Sequence, residues 1–156
     1  MLARFDCFGL ILVSAAFMVG CGGGLSEQDR LKKMMNGEVS AATPVSGVVL
    51  VDGSPAEKVW IQVYTADGSK QIDMGGRTNT NSEGKFEFTT YRAGDGLVSG
   101  QYKLTFLGQH FNKKKGLFEG PDLLKGRYKD PKKSEIKLDV EQGKPQKDLK
   151  FELTTK

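Results

Sequence analysis

A single histidine and two cysteines in 156 residues leave little room for the chemistry that depends on those side chains. Triads need a histidine beside a nucleophile, and His110 has no Gly-x-Ser-x-Gly elbow to serve. Zinc sites need clusters of His or Cys, and none is spelled out here. The chain also lacks a long apolar run. Its longest greasy stretch, residues 8–19, is 12 residues, whereas a spanning helix takes about 20. No sustained 3.6-residue periodicity follows residue 43, which argues against a helical core.

What stands at the start has the layout of an export signal: Arg4 near the beginning, the apolar run, and small Gly20. Removal of residues 1–20 takes Cys7 away and leaves Cys21 as the sole thiol, so no intramolecular disulfide forms. Stability must then come from an ordinary core, which the 38% hydrophobic content allows. The charge is +4 both before and after cleavage, because Arg4 and Asp6 leave together. An excess this small bears on solubility and on attraction to anions, not on fold.

The stretch Met18-Val19-Gly20-Cys21 resembles a bacterial lipobox, with Met18 where leucine is usual. The resemblance implies a thioether-linked diacylglycerol on Cys21, a bilayer as partner and a place in the cell envelope, facing the periplasm or the cell surface. Two or more acyl chains give stable anchoring, since each buried CH₂ contributes about 0.8 kcal/mol. The alternative is an ordinary secretory signal followed by an unmodified thiol. Residues 21–43 read as a glycine-rich tether. Within it, residues 26–36 carry one short helix candidate, with Ser26 and Asp29 at N-cap spacing.

From residue 44 onward the pattern is all-β. Val45–Val51 is the first run, and Val59, Ile61 and Val63 alternate with Trp60, Gln62 and Tyr64. The aromatic pair covers the opposite face or lies on an edge. Lys85-Phe86-Glu87-Phe88, Tyr102-Lys103-Leu104-Thr105-Phe106, Ile136-Lys137-Leu138-Asp139-Val140 and Leu149-Lys150-Phe151-Glu152-Leu153 alternate in the same way, bulk inward and charge outward. Asp52-Gly53, Asp67-Gly68, Glu83-Gly84, Asp95-Gly96 and Gly143-Lys144-Pro145 supply the turns. About seven strands in residues 44–156 suit two packed sheets. Phe86 and Phe88 share a face and can meet the aliphatic side of residues 59–63, about 10 Å away.

Val45-Ser46-Gly47-Val48-Val49-Leu50-Val51-Asp52-Gly53-Ser54-Pro55, together with the stretch Thr78-Asn79-Thr80-Asn81-Ser82-Glu83-Gly84-Lys85-Phe86 and the later Gly100-Gln101-Tyr102-Lys103-Leu104-Thr105, resembles the carboxypeptidase regulatory-like domain. That family implies a transthyretin-like, prealbumin-type Greek-key β-sandwich of seven strands; with one histidine and no catalytic motif, neither catalysis nor a cofactor is expected of the chain. Transthyretin-like hydroxyisourate hydrolases use several histidines and a Tyr-Arg-Gly-Ser-type tail. This chain ends Leu153-Thr154-Thr155-Lys156 and has one histidine, so that activity does not carry over.

Two surface features remain. Asn79-x-Asn81-x-Glu83-Gly84 echoes the start of a calcium loop, but Thr90 stands where the bidentate glutamate belongs, so a plain hairpin turn is expected. Residues 113–137 hold nine Lys or Arg against four acidic residues, a local +5. Phe111, Phe118 and Tyr128 interleave with Lys113, Lys114, Lys115 and Arg127 there. Such a mixture suits an anionic polysaccharide, lipid head groups or an envelope protein; outside the cytoplasm, nucleic acid is not expected. The plain alternative is a solvated loop whose rings fold back beneath it. Residues 92–99 and 109–133 are the long loops. The functional expectation is a non-catalytic binding or interaction module anchored at Cys21. The alternatives are a structural envelope component without a small ligand and a transthyretin-related hydrolase.

Overall fold

A computed structural model describes Ser26, Asp29, Arg30, Lys32 and residues 39–156. The lipobox and Cys21 lie outside the described residues, as does most of the helix candidate. At its start, Ser26 Oγ accepts the Asp29 amide at 3.1 Å, as an N-cap side chain does, and donates to the Asp29 carboxylate at 2.6 Å.

The described residues beyond 39 are all-β. Twelve strand segments follow one another: β1 (Ala42–Thr43), β2 (Val45–Val51), β3 (Ser54–Pro55), β4 (Trp60–Thr65), β5 (Arg77–Asn79), β6 (Lys85–Glu87), β7 (Leu97–Val98), β8 (Gly100–Leu107), β9 (His110–Asn112), β10 (Leu117–Glu119), β11 (Lys137–Val140) and β12 (Gln146–Leu153). Where the alternation predicts about seven strands, the extra segments are two or three residues long, too short to show a period. β1 begins two residues ahead of the expected boundary at 44, pairs with β7, and buries Thr43.

Two larger sheets carry the architecture. One runs β11-β8-β4-β5, antiparallel throughout. The other is built on β2, with β12 parallel on one side and β3 and β6 antiparallel on the other. Their inner faces share one core. Val45, Val49, Phe86 and Leu153 come from the β2 sheet, while Ile61, Val63, Leu104, Phe106, Leu138 and Val140 come from the β8 sheet. Phe106 and Phe151 meet across the interlayer space, ring centroids 5.3 Å apart.

The expected alternation holds where it is longest. Val59, Ile61, Val63 and Phe88 are fully buried, and Phe86 nearly so. Turns fall at the dipeptides that reach positive φ cheaply: Asp52 and Gly53 sit at +49° and +85°, and Gly68, Gly84, Gly96 and Gly143 are all positive.

Candidate interaction surface

β9 and β10 form a separate two-stranded hairpin where the sequence predicts a long loop. Its register sets Asn112 opposite Leu117, Phe111 opposite Phe118 and His110 opposite Glu119. Asn112 shapes the tip. Its side-chain oxygen accepts the backbone amides of Lys114 at 3.0 Å and Lys115 at 3.2 Å, and its carbonyl accepts that of Gly116 at 2.8 Å. Gly116 closes the turn at φ +68°.

Alternation then sorts the side chains by face. Phe111 and Phe118 point together onto Trp60 of β4, at centroid distances of 5.4 and 5.6 Å, and lie 5.1 Å from each other. Trp60 is available because its neighbour Ile61 points into the core, so the indole stands on the outer face of the β8 sheet. Arg77 of β5 lays its guanidinium 5.7 Å from the indole and 5.2 Å from the Phe111 ring. Edge-to-face ring pairs contribute about 0.5–1.5 kcal/mol each beyond their buried area, and an exposed cation–π contact roughly 0.5–1 kcal/mol. A short basic hairpin is thereby seated on a sheet.

On the other face, Glu119 receives Lys115 Nζ at 2.7 Å and Asn112 Nδ2 at 2.9 Å. Lys115 first, and Asn112 after it, hold the Glu119 carboxyl below its ordinary range. Lys113, Lys114 and Lys115 are exposed, and among the described residues Lys113 and Lys114 carry no ion pair. The base of the hairpin is clamped by Asp122, whose carboxylate accepts the amides of Gly108 at 2.8 Å, Leu124 at 3.0 Å and Gly126 at 2.7 Å.

The seven residues expected to form one basic surface therefore divide. Phe111, Lys113, Lys114, Lys115 and Phe118 come together on the hairpin. Tyr128 instead packs edge-on against core Phe106 at 6.5 Å, and its hydroxyl accepts the Thr154 amide at 3.0 Å. Arg127 is exposed on that neighbouring turn. Neither shares a hydrogen bond, ion pair or ring contact with the hairpin. Trp60 and Arg77 complete the site and were not singled out from the sequence for it. The usable signal was Trp60 alternating with three aliphatic residues, which forces the indole outward.

The calcium-like segment is a turn. Asn81 Oδ1 accepts the amides of Glu83 at 2.9 Å and Lys85 at 3.0 Å, and Glu83 pairs with Lys85 at 2.7 Å. His110 is exposed on β9. A cavity of about 810 Å³ lies away from the hairpin, over the outer face of the β2 sheet.

No family model matches the chain, and no curated protein matches it. Among solved structures, it is similar to an (S)-allantoin synthase at 22% identity and a TM-score of 0.40, over 80% of this chain and 45% of that one. It is similar also to a 9R-lipoxygenase from Cyanothece PCC8801 at 11% identity and a TM-score of 0.36, over 80% of this chain and 20% of that one. The chain thus spans less than half the length of either.

Proposed function

We propose that this chain is a non-catalytic envelope lipoprotein, cut before Cys21 and acylated there, whose sandwich domain binds anionic envelope material through the β9–β10 hairpin. The domain is read as a seven-stranded, transthyretin-like Greek key of the carboxypeptidase regulatory-like kind. In support, setting aside the separate two-stranded pairs β1-β7 and β9-β10 and the two-residue β3 leaves seven strands in the orders β12-β2-β6 and β11-β8-β4-β5.

The observation that carries the binding role is the hairpin's construction: three exposed lysines at a turn whose base is fixed by Trp60, Phe111, Phe118 and Arg77. A held turn loses less conformational entropy on binding than a loose one, while the lysines supply attraction at range. An acidic polysaccharide or an acidic protein surface fits that chemistry.

Two measurements test the reading. Intact mass of membrane-extracted protein should show loss of residues 1–20 and a diacylglyceryl mass on Cys21; a full-length, unmodified chain would remove the anchor. Binding to an acidic polysaccharide such as alginate should weaken with salt and fall about tenfold in Lys113→Ala/Lys114→Ala, roughly the effect of two exposed ion pairs. Salt-insensitive self-association with no polysaccharide binding would favour a structural envelope role instead.

A further inference from the structure

The cavity over the β2 sheet has a charge pattern set by strand register. Val48 has Lys85 of β6 directly on one side and Lys150 of β12 directly on the other. One step along the same face, Ser46 has Glu87 opposite it on β6. On its other side the β12 register shifts between Gln146 and Leu149, and Asp148, at φ +65°, lines the cavity there. Val48 and Ser46 point outward because Val49 and Val45 are buried. The floor is small, Ser46-Gly47-Val48, and Thr78 and Asn79 wall the β5 side.

Two ammonium groups therefore flank one floor residue and two carboxylates flank the next. Strands lie about 4.8 Å apart, so each flanking pair is separated by about 10 Å at the backbone, within converging reach of long side chains. The two rows are about 6.7 Å apart along the strand. Lys85 and Lys150 each hold an exposed carboxylate neighbour, Glu83 at 2.7 Å and Glu152 at 2.6 Å, and such pairs exchange readily in water. Among the described residues Glu87 and Asp148 carry no ion pair.

We propose that this trough binds a small zwitterion of dipeptide length, its acid group over Val48 between Lys85 and Lys150 and its ammonium over Ser46 between Glu87 and Asp148. Two extended residues span about 7 Å, which matches the spacing of the rows. A single amino acid is too short to reach both. At about 810 Å³ the cavity has the size of a small-molecule site. The proposal concerns a face separate from the hairpin and does not depend on it.

The test is a titration of the full chain in non-ionic detergent with L-alanyl-L-alanine, followed by amide-resolved NMR. The Ser46, Gly47, Val48 and Glu87 signals should move saturably. N-acetylated dialanine and dialanine amide, each missing one charge, should bind at least about tenfold more weakly, as expected for loss of a charge-assisted contact. Lys85→Gln/Lys150→Gln and Glu87→Gln/Asp148→Asn should do the same, with the remaining spectrum unchanged because all four side chains are exposed. Absence of a saturable shift overturns the proposal, as does equal binding of the capped peptides to the unaltered chain. Unchanged binding by both double variants overturns it too.

Discussion

Asp67 closes the turn after β4 by gathering donors. Thr65 Oγ1 donates to its carboxylate at 2.5 Å, and Ser69 contributes its amide at 3.0 Å and its hydroxyl at 2.9 Å. The Thr65 hydroxyl first, then Ser69, bring the Asp67 pKa down to about 2. A depressed carboxylate contributes stability that is fully present above its unfolded value, near 3.8, and is lost as pH falls through about 2. Carbon-detected NMR titration should place the Asp67 midpoint near 2, and Thr65→Val should move it up toward 3.8; an unmoved midpoint would show that the hydroxyl is not the cause. Asp52 works similarly between distant parts of the chain. Its carboxyl is lowered by the Thr155 hydroxyl and amide and by the Thr154 hydroxyl, tying the β2–β3 turn to the residues after β12. Both aspartates stand in Asp-Gly pairs, so the turns were legible in the sequence. Their hydrogen-bond partners were not, because Thr154 and Thr155 lie about a hundred positions from Asp52.

The hairpin depends on tertiary contact, since strands of three residues each cannot hold together in water alone. Removing the indole in Trp60→Ala deletes both ring pairs and half of the Arg77 stack while leaving inward-facing Ile61 and Val63 in place. Loss of two such pairs, about 1–3 kcal/mol, should raise tryptic cleavage at Lys113, Lys114 and Lys115 about fivefold or more. Cleavage that stays slow would mean the hairpin is held by Asp122 and its amide partners instead. This element also marks the limit of pattern reading. β4, β8, β11 and β12 each show several alternating residues and β2 is an apolar run bounded by turn residues, so each is legible in the sequence. His110-Phe111-Asn112 and Leu117-Phe118-Glu119 offer one large apolar residue per central position around a lysine run, a composition that reads as loop. The interleaved aromatics were visible, but period alone could not say that Phe111 and Phe118 seek Trp60 while Tyr128 turns to Phe106.

Closure of the sandwich rests on a pairing with no local signature. β12 lies parallel to β2 with Leu149 beside Gly47 and Leu153 beside Val51, so the two strands meet across about a hundred residues. Alternation told which face of each is buried. It carried no information on which strands adjoin or in what direction, because inward bulk is the same in either case. The close approach has a residue that permits it. A Cβ on Gly47 would stand 2.1 Å from the Leu149 carbonyl oxygen and 2.7 Å from its carbon, both backbone atoms that cannot rotate away. Gly47→Ala must therefore push β12 off β2 near its register shift, at a cost of about 1–3 kcal/mol for overpacking. Since the β8 sheet is hydrogen-bonded separately, the damage should be graded. Amide exchange should accelerate most for residues of β12 and β2 and least for Ile61, Val63 and Leu104, with a lower Tm but a β-type circular-dichroism spectrum. Ser46→Ala, one position away and facing outward, should leave both exchange and Tm near those of the unaltered chain. Uniform acceleration across both sheets in Gly47→Ala would instead mean that β12 docking and the opposing sheet open as a single cooperative unit.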